Sequence, residues 1–470
     1  MRVCCSGRRS EEAATMMARG ETTAWRGHMT APIASTAGAG VEPRSSGTVP
    51  SSARARSGFW GRCALAIWTS PALAGCAAAV AYLGLAVATW PSGLDQSRHP
   101  YFVYLADAFL RGQLALAQTP TDALDLVLYQ GRHYVWSPPF PALLFVPLVA
   151  AFGVGVSDAP LHLAVAGLNV ALVAALLKEM DRRGMAKLSP GTRAWLTAFF
   201  AFGTVHVTVA PYARVWFTAQ VVGFALLCAA YLAAVRLPSR WAPLVSGTLV
   251  GCAFLSRSPM LPAALWIGWH LWRRRDRSDR WSGARVAIAG LAPVGVAVAL
   301  LGAYNLLRFG SPLEMGLAYH QMHEQWQEGY GRYGVFSLGY LPANLFYSFV
   351  ALPYLALLGD RPGVDFWMGG SLFLMSPVFI LAFPGLVRCW RADGWALVAS
   401  CLLGLVPILL LMGTGWVQFG PRYTLDVTVP LLMATAVGAA GVSDRLVARL
   451  SVISFGVYLP GATLLGVLLR

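Results

Sequence analysis

Four aspartates follow the first long apolar run: Asp95, Asp107, Asp122 and Asp125. A carboxylate at an apolar boundary is partly desolvated. That raises its pKa toward neutrality and suits it to accept a proton. Asp125 precedes the apolar run Leu126-Val-Leu-Tyr129, where a solvated carboxylate is least easily explained. The others each have a local alternative. Asp107 stands four residues before Arg111, the spacing of a helical ion pair. Asp95 follows Ser92-Gly93 and Asp122 follows Pro120-Thr121, both settings for a turn or helix cap. Asp95, Asp107 and Asp125 are the candidate general bases.

Arginines form the other half of the pattern. Arg132, Arg257, Arg308 and Arg422 sit at or near the ends of apolar runs. An arginine in hydrocarbon is costly and is normally paired or functional. Its planar fork matches phosphate oxygens. Arg422 lies in Gln418-Phe-Gly-Pro-Arg-Tyr-Thr-Leu-Asp426, so Tyr423 and Asp426 join it as candidate substrate-binding residues. The alternative for Arg422 is a local pair with Asp426, four residues on. The alternative for Arg257 is a side chain that snorkels to the interface. His320 and His323, followed by Glu324, have the spacing of two ligands on one helix face. No other clustered ligand joins them, so no metal site and no cofactor is expected. P-loop, G-x-S-x-G and H-E-x-x-H patterns are missing, which leaves ATP-driven chemistry without support.

The elements that must position these residues are membrane helices. The chain has 470 residues, 57% hydrophobic and 12% charged, with a mean hydropathy of +0.57. That charge content is about half that of a soluble domain, which excludes a soluble enzyme and a disordered protein. Apolar runs predict an all-α polytopic transmembrane bundle of about 11 spans. They fall near 64–90, 161–177, 194–210, 215–235, 241–255, 259–272, 284–304, 371–387, 395–412, 424–441 and 450–469. Residues 1–62 form a basic tail without an apolar run, expected to be disordered. Residues 63–470 form one transmembrane domain. None of the eight cysteines falls in a segment placed outside, and no C-x-x-C occurs, so neither a disulfide framework nor a thiolate metal site is expected.

Two long polar segments interrupt the spans, at about 91–160 and 305–370. Both carry apolar residues at helical spacing, such as Phe102, Leu105 and Phe109, or Phe336, Tyr340, Phe346, Tyr347 and Tyr354. Interfacial helices are expected there. The run 139–152 has three prolines and 14 residues, too short to span. Treating it as interfacial puts 17 Lys/Arg and 6 acids in the cytoplasmic loops, against 10 and 11 outside. This is the positive-inside pattern of a multi-pass plasma-membrane protein with a cytoplasmic N-terminus. The net charge of +15 is thus an orientation signal and does not point to nucleic acid.

The order of these motifs resembles the GT-C superfamily of integral-membrane glycosyltransferases, in which aminoarabinose transferase and the protein O-mannosyltransferases fall. The resemblance covers about residues 72–442. It rests on Asp95 after the first span, Tyr104-Leu-Ala-Asp-Ala-Phe-Leu-Arg-Gly112, Gly131-Arg-His-Tyr134, the Pro138-Pro139 pair and Phe419-Gly-Pro-Arg-Tyr423. It implies a sugar transferred from a polyprenyl-phosphate donor to an extracytoplasmic acceptor (lipid, glycan or protein) by inverting displacement. It also implies a carboxylate of the first outer segment as base and basic residues holding the departing lipid phosphate. By position Asp95 matches the family's acidic site, though the family's Asp-Glu is Asp95-Gln96 here. The Lys of the family's Lys-Pro element is replaced by Trp136-Ser137, so phosphate binding would fall to Arg132 or Arg422. The expected partners are membrane lipids, the lipid-linked donor and the acceptor. The competing reading is a transporter or flippase without covalent chemistry. It predicts internal repeats and ionisable residues deep in the helices. A ligase or polymerase of lipid-linked glycans would share this pattern, and a membrane scaffold is the plainest alternative.

Overall fold

The computed structural model describes residues 61–469, apart from 62, 91, 93, 323, 355–367, 393 and 416–417. The basic tail to residue 60 lies outside the described residues, as does His323. Helix α1 is Pro71–Thr89 and α2 is Tyr101–Leu110. A hairpin follows, β1 (Leu126–Tyr129) and β2 (Arg132–Val135), and then α3 (Phe140–Phe152). Next come α4 (Ala159–Arg182), α5 (Pro190–Phe202), α6 (His206–Val209), α7 (Val215–Arg236) and α8 (Ala242–Phe254). Helices α9 (Leu265–Arg273) and α10 (Ser282–Phe309) lead into the second long segment, with α11 (Glu324–Tyr333) and α12 (Leu341–Phe349). The remainder is α13 (Leu372–Met375), α14 (Ala382–Arg391), α15 (Trp395–Leu410), α16 (Thr428–Ala439) and α17 (Asp444–Leu468).

Among the described residues five helices have the length and apolarity to cross a bilayer: α1, α4, α7, α10 and α17. Most of the other expected spans are shorter or broken. The run 194–210 divides into α5 and α6 around Gly203. The run 259–272 opens as a 3-10 turn at Ser258–Ala264, where Pro259 and Pro262 remove backbone donors. The runs near 371 and 424 break in the same way, with 3-10 turns at Pro377–Leu381 and Arg422–Val427. Such breaks survive at membrane depth when side chains satisfy the freed carbonyls. The Ser376 hydroxyl does so for Gly203, at 2.8 Å.

Helices approach through small residues, as packing in lipid favours. A Cβ on Gly75 would lie 2.9 Å from Ala171 Cβ, and one on Gly167 would lie 2.7 Å from Ala79 Cβ, so α1 and α4 are in backbone contact. Helices α14 and α16 are closer still: a Cβ on Gly438 would run into the Leu381 carbonyl, and one on Gly385 into that of Ala434. Gly438→Val is therefore expected to lower stability by about 1–3 kcal/mol. Gly84, with open space around it, should tolerate the same change. Thermal unfolding of the two variants in detergent checks this.

The structure departs from the all-α expectation at the hairpin. It also changes the role of 101–113. Helix α2 does not lie on a lipid surface, because seven of its ten residues are buried. Tyr101, Phe102 and Leu105 pack with Leu126, Val135, Phe145 and Val215 into a second core that joins α2, the hairpin, α3 and the first turn of α7. That core carries the first polar segment. Phe336 and Leu338, by contrast, are exposed, as an apolar interfacial face requires.

Candidate active site

The hairpin sets the position of Asp125. Its two-residue turn is Gln130-Gly131, with φ of 49° and 74°. Those angles suit the type I′ turn, whose twist matches that of paired strands. Asp125 enters β1 with φ of 64°, a left-handed conformation uncommon outside glycine. It is held there by a piece of chain nearly two hundred residues away. The Asp125 N–H donates to the Gln321 carbonyl at 3.0 Å, and the Gln321 N–H donates to the Leu126 carbonyl at 2.8 Å. His320 Nε2–H donates to the Asp125 carbonyl at 3.1 Å, and Nε2 lies 3.6 Å from carboxylate Oδ1.

The Asp125 carboxylate is mostly enclosed. Burial pushes its pKa above the ordinary carboxylate value, and the neighbouring His320, Arg422 and Trp216 only partly offset this. Asp122, three residues earlier, is the opposite case. Burial raises it, but the Leu124 N–H, His99 and Arg98 together hold it below its ordinary value. Arg98 Nε lies 2.7 Å from its Oδ2 and His99 Nε2 lies 3.2 Å away. His99 packs its ring on Trp216 at 4.8 Å. Burial and the nearby Arg214 pull its pKa down to about 4, so it is neutral at pH 7. Two adjacent carboxyls thus differ in character: Asp122 is a clamped anion and Asp125 a base of raised pKa.

Arg422 approaches from the other half of the chain. Its side chain is 6% exposed, in the 3-10 turn after Gly420-Pro421. Gly415, with φ of 97°, brings backbone against the guanidinium; a Cβ there would lie 2.8 Å from Nε. Only glycine fits that approach. The Gln220 amide donates to the Arg422 carbonyl at 2.9 Å and so fixes the turn to α7. Among the described residues the guanidinium has no ion pair, and its buried Nε has no hydrogen-bond partner. The local alternative, a pair with Asp426, is not formed. Asp426 is fully buried and accepts from Arg257 Nε at 2.6 and 2.7 Å. The Tyr423 ring takes both cations, Arg257 at 4.8 Å and Arg422 at 5.1 Å from its centroid. A small cleft opens beside it, lined by Asn344, Tyr347, Ser348, Met368 and Thr414.

The structure therefore brings together Arg422, Tyr423, Arg257 and Asp426, and the Arg422 charge reaches the carboxylate of Asp125. It places the other candidates apart. Asp95 is exposed in a turn, its N–H on the Ser92 carbonyl, beside a separate small cleft. Asp107 is ion-paired with Arg111 Nε at 3.0 Å. Arg132 is exposed at the hairpin turn. Arg308 is occupied: it donates to the Val135 carbonyl and to Asn305 Oδ1, at 2.8 and 2.7 Å, and ties α10 to the hairpin. Two site residues were missed from sequence. Trp216 reads as the apolar start of a span, and Gly415 reads as one loop glycine among several. His320 pairs with Asp125. No group of three or more metal-ligating side chains occurs among the described residues.

No family model matches the sequence, and no curated protein does. Three solved structures are similar in arrangement. The apo oligosaccharyltransferase of Archaeoglobus fulgidus is 13% identical with a TM-score of 0.44, over 84% of this chain and 56% of that one. The same organism's AglB, in complex with an inhibitory peptide and a dolichol-phosphate, gives 13% and 0.44 over 84% and 55%. ArnT of Cupriavidus metallidurans, bound to undecaprenyl phosphate, gives 17% and 0.39 over 81% and 62%. The chain spans little more than half the length of the archaeal enzyme. Likeness at this level assigns no residue a role, so the chemistry rests on the geometry above.

Proposed function

We propose that the chain is a membrane glycosyltransferase that moves a sugar from a polyprenyl-phosphate donor to an acceptor hydroxyl by inverting displacement. The observation that carries this reading is the buried Arg422, without an ion pair among the described residues and near enough to the enclosed carboxylate of Asp125 for its charge to act on it. A free buried cation costs stability unless an anion comes to it. A phosphate monoester or diester on a lipid tail is an anion suited to an apolar bundle.

The step balances with two side chains. Asp125 takes the proton of the acceptor hydroxyl, whose oxygen forms the new bond to the anomeric carbon. The bond from that carbon to the phosphate oxygen breaks, and the lipid phosphate leaves with the electron pair. Arg422 holds the charge that develops there. A phosphate leaving group needs no added acid, and the step calls on no cofactor. Asp426 holds Arg257, and Tyr423 lies against both cations, so these three shape the clamp. Helix α7 supports an outer-face site. It runs from Trp216, beside Asp125, to Arg236, where Arg183 and Arg274 donate to the last carbonyls. Its 22 residues cover about 33 Å. The positive-inside rule then puts the basic end in the cytoplasm and Asp125 on the outer face.

The test is transfer in reconstituted vesicles from an isotopically labelled pool of polyprenyl-phosphate sugars. Label should appear on an acceptor. No transfer from any pool, with labelled lipid or solute crossing the bilayer instead, would overturn the reading in favour of transport. The pH profile is a second check. The base works only when ionised, and its pKa is raised. Activity should therefore be full at higher pH and fall as pH drops through a value above the ordinary carboxylate 3.8. An acid limb in kcat/KM at the ordinary value would remove Asp125 from the role.

A further inference from the structure

Beside Asp125 lie polar atoms that the transfer step does not use. His320 Nε2–H is committed to the Asp125 carbonyl, which can only accept. In the neutral ring this leaves Nδ1 with a lone pair, and that atom is buried without a partner. Burial keeps the ring neutral by lowering its pKa, against the opposing pull of Asp125. The His320 side chain is only 8% exposed. The Trp136 indole packs edge-on against it, with centroids 5.8 Å apart. Its Nε1–H is also buried without a partner, and so is Gln321 Oε1. A protein rarely leaves even one such group unmade, because each forfeits its water without repayment. Here an orphan acceptor and an orphan donor sit on two rings in contact, next to the proposed base.

One ligand group satisfies both. A hydroxyl donates one hydrogen bond and accepts another. A carbonyl cannot serve His320 Nδ1, and an ammonium cannot serve the indole N–H. We infer that Trp136 and His320 form a hydroxyl subsite that binds a second hydroxyl of the acceptor while Asp125 takes the first. The reacting hydroxyl meets the carboxylate, and its neighbour donates to His320 Nδ1 and accepts from Trp136 Nε1–H. The acceptor class is then a carbohydrate with vicinal hydroxyls, which a serine, a threonine or a lone lipid alcohol does not offer. The subsite is closed over in this structure. His320 stands between α10 and α11 on chain that Gln321 ties to Asp125 and Leu126. The inference rests on the proposed transfer for its catalytic meaning, but its binding claim stands alone.

The experiment therefore measures binding first. Purified full-length chain in nanodiscs is titrated by calorimetry with a panel of hexose and pentose disaccharides and their monodeoxy analogues. Wild type should bind at least one disaccharide and bind the analogue lacking the second hydroxyl about tenfold more weakly. His320→Phe and Trp136→Phe should bring that ratio to about one. His320→Gln, which keeps an acceptor, should recover part of it. No disaccharide binding in wild type overturns the inference, as does an unchanged ratio in the two Phe variants. If the Phe variants unfold, the Gln variant alone decides: it must show a ratio between one and that of wild type. Failure of sugar transfer in vesicles would sink the proposed reaction while these binding results still stand.

Discussion

Asp125→Asn is expected to lower sugar transfer by about 10²–10⁴-fold, the usual worth of a positioned general base. The fold should survive the change. Asn tolerates the left-handed conformation that Asp125 adopts, and the backbone bonds to Gln321 do not involve the side chain. Asp95→Asn and Asp107→Asn should stay within a factor of a few of wild type. Asp95 is exposed in a turn, and Asp107 is already spent on Arg111. Initial rates in vesicles, with donor binding measured separately, decide among the three. A full rate in Asp125→Asn, or a collapse in Asp95→Asn, would move the base to the other carboxylate.

Arg422 and Arg257 are expected to fail in different ways, although both are buried or nearly so. Arg422→Ala should cost about 10²–10³-fold in rate, the scale of one lost group stabilising developing charge. Its unfolding temperature should change less, since among the described residues its guanidinium makes no ion pair and rests only on the rings of Phe217 and Tyr423. Arg257→Met should instead strand Asp426, which is 0% exposed and has Arg257 on both carboxylate oxygens. Breaking a buried pair from one side costs about 3–5 kcal/mol. A detergent melt together with a transfer assay separates the two. If Arg422→Ala melts as Arg257→Met does, Arg422 is a structural cation and the phosphate clamp lies elsewhere.

What was legible in the sequence was local chemistry, and what was not was long-range pairing. Asp125 stood out because a carboxylate precedes an apolar run. Arg422 stood out because it ends a Gly-Pro turn beside an apolar span. Their juxtaposition was hidden, since it depends on contacts across the whole chain. Arg257 and Asp426 are 169 positions apart, and Asp125 and His320 are 195. The i,i+4 alternative for Arg422 failed because a 3-10 turn, and not an α-helix, carries residues 422–427. The hairpin was missed because Gln130-Gly131 is a weaker turn signal than Asn-Gly, and its strands are four residues each. Several expected spans are broken or short, because apolar length does not register where proline and glycine interrupt hydrogen bonding. Helix α2 was assigned to the lipid surface because its apolar spacing is the same whether protein or lipid covers it.

The left-handed backbone at Asp125 has a genetic consequence. Glycine, asparagine and aspartate are the residues that take such a φ at little cost. Of these three, aspartate alone ionises. A glutamate at this position would take that φ at greater cost, so exchanging one carboxylate for another strains the entry to the hairpin. With Asp125 as the proposed base, drift to asparagine or glycine is expected to leave the architecture whole and to extinguish transfer. Descendants of this chain can therefore fall silent in one step while keeping their shape, and residue 125 is the position at which to tell them apart.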